Sequence, residues 1–296
     1  MPVRKILEQI GVPAASYYRY RRKAEPAPRG PRGKRVPAPT PDEKRLVCEH
    51  ASKEPFTGYK RLGDRLANDE IVGLKRYQVL DVLREEGLVK PDPPRDPTLN
   101  RPAPADRPNQ IWHIDLMYVR LSGRWMYLVD IIDAYSRFLV HWTLNPTMED
   151  FTVTMTTLEA LEMQGFPKVA IVRDRGSQFQ SKEWAAFVRY HEIRDVRTRV
   201  AHPESNGLIE RLHRSHRREA LVSTDDWSVE RANQEMQDWA RIYNWERPHG
   251  SLQGLPPAVY HYGDPEAALA QREAYVRASA EARADYWRRN ETAGVS

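Results

Sequence analysis

"QIWHIDLMYVRLSGRWMYLVDIIDAYSRFLVHWTL", residues 110–144, holds three runs rich in β-branched and aromatic side chains, broken at "SGR" and "AYS". Such runs favour extended backbone, and short Gly- or Ser-containing breaks favour tight reversals. The spacing predicts three antiparallel strands in a meander. One residue sits oddly within them. Asp115 lies in the middle of the first run, where β-propensity is poor and an unpaired buried carboxylate is costly. Taken alone, it is explained either by pairing with a neighbouring Arg or by a functional site.

The chain after residue 144 changes period. "PTMEDFTVTMTTLEALEMQG" (146–165) predicts a helix with Thr147 as N-cap and Gly165 closing it. "KVAIVRD" (168–174) is a short apolar run suited to a central strand, and "SKEWAAFVRYHE" (181–192) a second helix. "RDVRTRV" (194–200) reads as an edge strand and "ESNGLIERLHRSHRREAL" (204–221) as a third helix. Strands first and alternating helices afterwards predict an α/β fold, a mixed sheet with helices on its faces.

Two proline-rich segments, 25–41 and 91–108, set this region apart from what precedes it, because Pro fixes φ and removes a donor. Residues 1–24 contain an apolar helix, a turn at Gly11 and a second helix carrying Arg19, Arg21 and Arg22. That is the pattern of a partial helix-turn-helix, or of a plain helical hairpin. Residues 42–90 predict three helices, the third opening with Lys75, Arg76 and Tyr77 and ending at Gly87. A small DNA-binding module of helix-turn-helix type fits, as does a helical spacer. Residues 263–296 read as an Ala-rich, charged helical tail after a core spanning 109–262.

Composition narrows the classes. The 296 residues are 40% hydrophobic with eight Trp, as folded domains require, and the single cysteine, Cys48, excludes an intrachain disulfide framework. No apolar run approaches the ~20 residues of a membrane span, so a soluble, cytoplasmic protein is expected. The net charge is only +5, but Arg and Lys cluster in separated patches, as along a polyanion track.

Three carboxylates stand out by position: Asp115 in the first strand, Asp174 where the apolar run "VAIVR" ends, and Glu210 early in the last helix. Asp174 on its own fits an Asx-turn into Gly176, and Glu210 a surface pair with Arg214. Adjacent strand ends and a crossing helix bring such residues together, and clustered carboxylates repel unless protonated or bound to cations. Hard oxygen donors suit Mg²⁺ or Mn²⁺, and two such ions would clamp an in-line phosphoryl transfer. Asp130, Asp133, Glu204 and Glu219 stand outside this set; Asp133, before "AYSR", reads as a turn residue or a supporting partner. His213 and His216 form an H-x-x-H pair without a third obvious zinc ligand.

Thirty-five residues separate Asp174 from Glu210. With "RPNQIWHIDLMYV", "VDIIDAYSRFLVHW", "RDRGSQFQSKEW" and "YNWERPHGSLQGLPPAVY", this spacing resembles the DDE integrase core, and most closely the OrfB-type transposases of the IS3 family. The resemblance implies an RNase H-like mixed five-stranded sheet flanked by helices, preceded by small all-α helix-turn-helix modules. It implies that Asp115, Asp174 and Glu210 bind two Mg²⁺ or Mn²⁺ ions. Double-stranded DNA would be cut at the terminal inverted repeats of an insertion sequence, and the freed 3′-OH joined to target DNA. Arg217 stands where that group carries a basic residue approaching DNA, and helical phase adds His213 and Arg214. A homo-oligomer on DNA is implied, nucleoid-associated in a bacterial cytoplasm, with an upstream helix-turn-helix product as partner. Two departures are visible: Arg173 precedes Asp174 where a small polar residue is usual, and "AHPESNGLIE" leads into Glu210. A catalytically silent protein occupying element ends, or a structure-specific nuclease on the same core, are the alternatives.

Overall fold

Thr40 starts the first described helix. Its hydroxyl accepts from Glu43 N at 3.2 Å while Glu43 Oε2 accepts from Thr40 N at 2.8 Å, a reciprocal cap. The following proline loses nothing at the first helical position, so helix α1 spans Pro41–Lys53 and begins inside the segment expected to be linker. In the computed structural model the described residues are 36–54, 57–89, 105–197, 207–222 and 224–293. The N-terminal module with Arg19, Arg21 and Arg22, most of both linkers, and the loop containing Glu204 lie outside them.

Helices α2 (Tyr59–Asn68) and α3 (Arg76–Glu85) complete a small bundle with α1. Val47, Leu62, Leu66, Val79 and Val82 fill it, and Gly87 at φ +67° ends α3 as expected. A further helix follows at the other end of the chain. Residues Pro265–Ala293 form one long helix, and its Arg283, 2% exposed, donates to Glu43 Oε1 at 2.7 Å and to Gly73 O at 3.1 Å. Gly73 is required there, since a Cβ would meet Ser279 Oγ at 2.2 Å. The expected tail is thus docked on the helical module.

The sheet is five-stranded: β1 (Ile111–Leu121), β2 (Arg124–Asp133), β3 (Leu139–Asn145), β4 (Ala170–Arg173) and β5 (Arg194–Arg197), in the order β3-β2-β1-β4-β5. The first three form the expected antiparallel meander, and β4 and β5 run parallel to β1. This is the mixed five-stranded sheet that was expected. Ser122 and Gly123, with φ +45° and +78°, make the two-residue reversal between β1 and β2.

Side chains alternate between two cores. Trp112, Ile114, Val129 and Ile131 face helices α4 (Asp150–Met163) and α5 (Lys182–Tyr190). Met117, Val119, Leu128 and Ile132 face α6 (Gly207–Ser215), which continues as a π-helical turn through Ala220, and α7 (Val229–Trp245). Helix α4 is capped at Glu149, not Thr147. The acidic residue Glu149 suits the positive end of the helix dipole, which leaves Thr147 outside. Asp133 is a turn residue: its Oδ1 accepts from Tyr135 N, Ser136 N and Ser136 Oγ at 3.1, 2.7 and 2.7 Å. Ser136 also meets His261 of the last short helix, α8 (Pro257–Tyr262), tying that helix to the β2–β3 turn. No helix among the described residues is long and apolar enough to cross a membrane.

Candidate active site

Alternation along β1 puts Asp115 on the same face as Met117, towards α6. Its cross-strand partner is Asp130 of β2, also on that face. Two carboxylates opposite each other would repel, and α6 supplies what separates them. His213 Nδ1 lies 3.8 Å from Asp115 Oδ2 and His213 Nε2 3.2 Å from Asp130 Oδ2. His216 Nε2 approaches the same Asp130 oxygen at 3.1 Å, its ring 4.4 Å from that of Trp239. These contacts are of ion-pair length.

The electrostatics differ at the two aspartates. Burial pushes the Asp115 carboxyl up; His213 and the Leu116 N–H oppose this, while Asp174 and Asp130 add to it. Asp130 is wholly buried, which by itself raises its pKa, yet His216 and His213 together outweigh burial and hold it well below the usual carboxylate range. Asp115 is therefore short of positive charge, and Asp130 is well supplied with it.

The parallel register pairs His113 with Val172. Continued by two residues, it sets Asp115 level with Asp174, consistent with the charge coupling between them. Asp174 accepts from Gly176 N at 2.9 Å, the expected Asx-turn, which aims the chain away from β4. Arg173 turns to the opposite face. There it is buried, with Nε and Nη2 donating to Asp195 at 2.8 and 2.6 Å.

Glu210 lies in the first turn of α6, exposed, and α6 packs against β1. Among the described residues no three His, Cys, Asp or Glu side chains are grouped so as to hold a metal ion. Asp115 and Asp174 are near enough for their charges to couple, and Glu210 is exposed on the neighbouring helix. By donor type the aspartates fit a hard divalent cation: two carboxylates, one raised by burial and by the other's charge.

Other expected residues divide. His213, expected to meet phosphates, is buried between the two aspartates and cannot; the helical phase it shares with Glu210 turns it inward, towards the sheet. Arg214 and Arg217 are exposed. Arg76 is held by Asp64 in a two-pronged pair at 2.7 and 2.8 Å, whereas Lys75 and Tyr77 are exposed at the start of α3. Asp130 and His216 had no supporting role assigned from sequence.

Two family models, each described as an integrase core domain, match residues 105–203 and 191–257. An uncharacterized 39.2 kDa protein of insertion element IS476 from Xanthomonas euvesicatoria is 26% identical over 236 residues, 76% of this chain and 67% of its own length. The transposase for insertion sequence element IS904 of Lactococcus lactis is 26% identical over 54% of this chain and 64% of its own. Transposase InsF for insertion sequence IS3A of Escherichia coli is 28% identical over 53% and 55% respectively. This chain thus spans only about half to two thirds of these curated relatives. Among solved structures, the HTLV-2 integrase catalytic core domain in complex with magnesium aligns with a TM-score of 0.44 and 18% identity, covering 53% of this chain and 98% of that one. The two matched segments together run from residue 105 to residue 257, and over that stretch this chain is similar to the integrase core domain family.

Proposed function

We propose that this chain is an insertion-sequence transposase that cuts DNA at the ends of its element and joins them to target DNA. The observation that carries this is the placement of Asp115 and Asp174 on neighbouring strands, near enough for their charges to couple, in a chain whose curated relatives include insertion-sequence transposases. Asp115, Asp174 and Glu210 would hold two Mg²⁺ or Mn²⁺ ions. Bound there, the ions would supply the Lewis acidity that activates water or a 3′-OH against a phosphodiester.

The chain's own residues do the rest. His213 holds Asp115 from behind, anchored in turn by Asp130, so the first carboxylate keeps its orientation as charge around it changes. Glu210 rides on the helix that these contacts pin to the sheet. Arg214 and Arg217, exposed further along that helix, bind backbone phosphates, while Lys75 and Tyr77 of the helical module meet DNA away from the chemistry. Changing Arg217 to alanine should remove one phosphate contact, lowering the slope of log affinity against log salt by about 0.9. A binding titration at several salt concentrations with an unaltered slope would return Arg217 to a solvent-facing role.

The test of function is incubation of the full chain with duplexes carrying candidate element ends, Mg²⁺ and target DNA, followed by sequencing of the products. Joined strands are expected. Cleavage without joining would make the protein a nuclease, and binding without cleavage would make it a silent occupant of DNA ends.

A further inference from the structure

The block "YNWERPHG", residues 243–250, closes helix α7 and takes no part in the proposed chemistry. Its side chains are nevertheless committed to particular partners. Asn244 is buried; it donates from Nδ2 to Leu139 O at 2.9 Å and accepts from Leu139 N at 2.8 Å, which ties the end of α7 to the start of β3. Arg247 folds back over that end. Its backbone N–H donates to Ile242 O at 2.8 Å, and its guanidinium lies 5.2 Å from the centre of the Tyr243 ring. From there Nη2 donates to Glu219 Oε1 at 2.7 Å and to Ser215 Oγ at 3.4 Å.

Ser215 is the last residue of α6, the helix that carries Glu210, and Glu219 lies in the π-helical turn that continues it. Arg247 therefore bridges the junction between the two. In that turn Leu221 N reaches back five residues to His216 O at 2.7 Å. Such turns interrupt the regular ladder and recur at functional sites. Glu219 uses both of its oxygens. Oε2 accepts from Trp239 Nε1 of α7 at 3.3 Å, and Oε1 also lies 3.6 Å from Arg61 Nη1 on α2 of the helical module. One carboxylate thus joins the helix of Glu210, the helix packed behind it and the helical module. Burial and the neighbouring Arg61 push the pKa of Arg247 down, and Glu219 opposes them. Taking that carboxylate away would leave a buried guanidinium facing a second cation.

We propose that Arg247 and Glu219 are positioning residues for Glu210. They set helix α6 from its far end, as Asp130 with His213 and His216 sets it against the sheet. The proposal rests on the reading of Glu210 as a catalytic carboxylate. Glu219 lies roughly 13 Å along the helix from Glu210, so neither residue of the pair touches the reacting atoms. Both act through the helix, and a catalytic group misplaced by about 1 Å can lose about 100-fold in rate.

The test is steady-state cleavage by the full chain of duplexes carrying candidate element ends, with Mg²⁺, alongside amide hydrogen exchange. Glu219→Gln and Arg247→Ala should each lower turnover at saturating DNA by up to about 100-fold, with KM for DNA unchanged. The double variant should lose no more than the worse single one, because the two residues act as one unit. Arg247→Lys, which keeps the ion pair with Glu219, should recover part of the loss. Residues 207–215 should exchange faster in both single variants, with β1, β2 and β3 as protected as in wild type. Arg241→Ala is the control: it breaks an exposed pair with Glu246 at the end of α7 and should match wild type. A raised KM with unchanged turnover would assign the pair to DNA binding, and faster exchange throughout the sheet would make it a general fold contact. Either result overturns the proposal, as does wild-type turnover in both single variants. No cleavage by the wild type, or full cleavage by Glu210→Gln, overturns instead the catalytic reading of Glu210, and the positioning role with it.

Discussion

Replacing Asp115 with asparagine should abolish Mg²⁺-dependent cleavage and joining while DNA binding survives. Asparagine keeps the shape of the side chain and removes the charge that a divalent ion would require. Loss of a supporting partner around a metal site typically lowers activity by roughly 10–100-fold; loss of a ligand should exceed that. Folding should not suffer. Burial already raises the Asp115 carboxyl, with Asp174 and Asp130 adding to it, so a neutral group in its place relieves repulsion. Binding should be equal or tighter, because one negative charge near the DNA path is gone. Asp174→Asn and Glu210→Gln should behave alike in the same assay. Glu210 is the sharper case, since it is exposed on the helix rather than set at a strand end. Normal joining by any of the three would remove that residue from the active site.

Asp130→Asn should have the largest effect on stability. This carboxylate is wholly buried and faces two imidazoles from α6 and its π-helical continuation. Removing one partner of a buried charged cluster costs about 3–5 kcal/mol. A shift of the urea midpoint at pH 7, with an unchanged slope, would measure it. The sign of the pH dependence is fixed too. The folded carboxyl lies below its unfolded value of ~3.9, so its contribution is present above that pH and is lost as pH falls below it. Wild type and variant should therefore differ at neutral pH and converge in acid. Equal midpoints at pH 7 would show that α6 is held by its apolar contacts alone.

The strands were legible because period-two runs and tight breaks leave little choice of register. A two-residue reversal at Ser122–Gly123 makes Asp115 face Asp130, so that partnership was already implicit in the chain. What hid it was the type of residue: Asp130 has no suitable spacing to Asp174, and its partners come from a helix whose docking no local pattern reveals. His213 was assigned outward for the same reason. Helical phase places it beside Glu210 and Arg214, but only packing against β1 decides which part of that arc is buried. Arg173 was visible as a departure, yet its role depends on β5, an edge strand that brings Asp195 and Arg197 alongside. The long last helix was recognisable as a helix from composition, and its destination was not, because the residues it meets lie at the other end of the chain.

That destination has a consequence for how the protein is made. Arg283 closes onto Glu43 across 240 residues of chain, one of the most sequence-distant contacts in the fold. Contacts of such separation form late, since loop closure must precede any gain from them. During synthesis the helical module leaves the ribosome before the sheet does. Its outer wall is completed only when the last helix emerges, so the earliest described segment to appear is among the last to be finished.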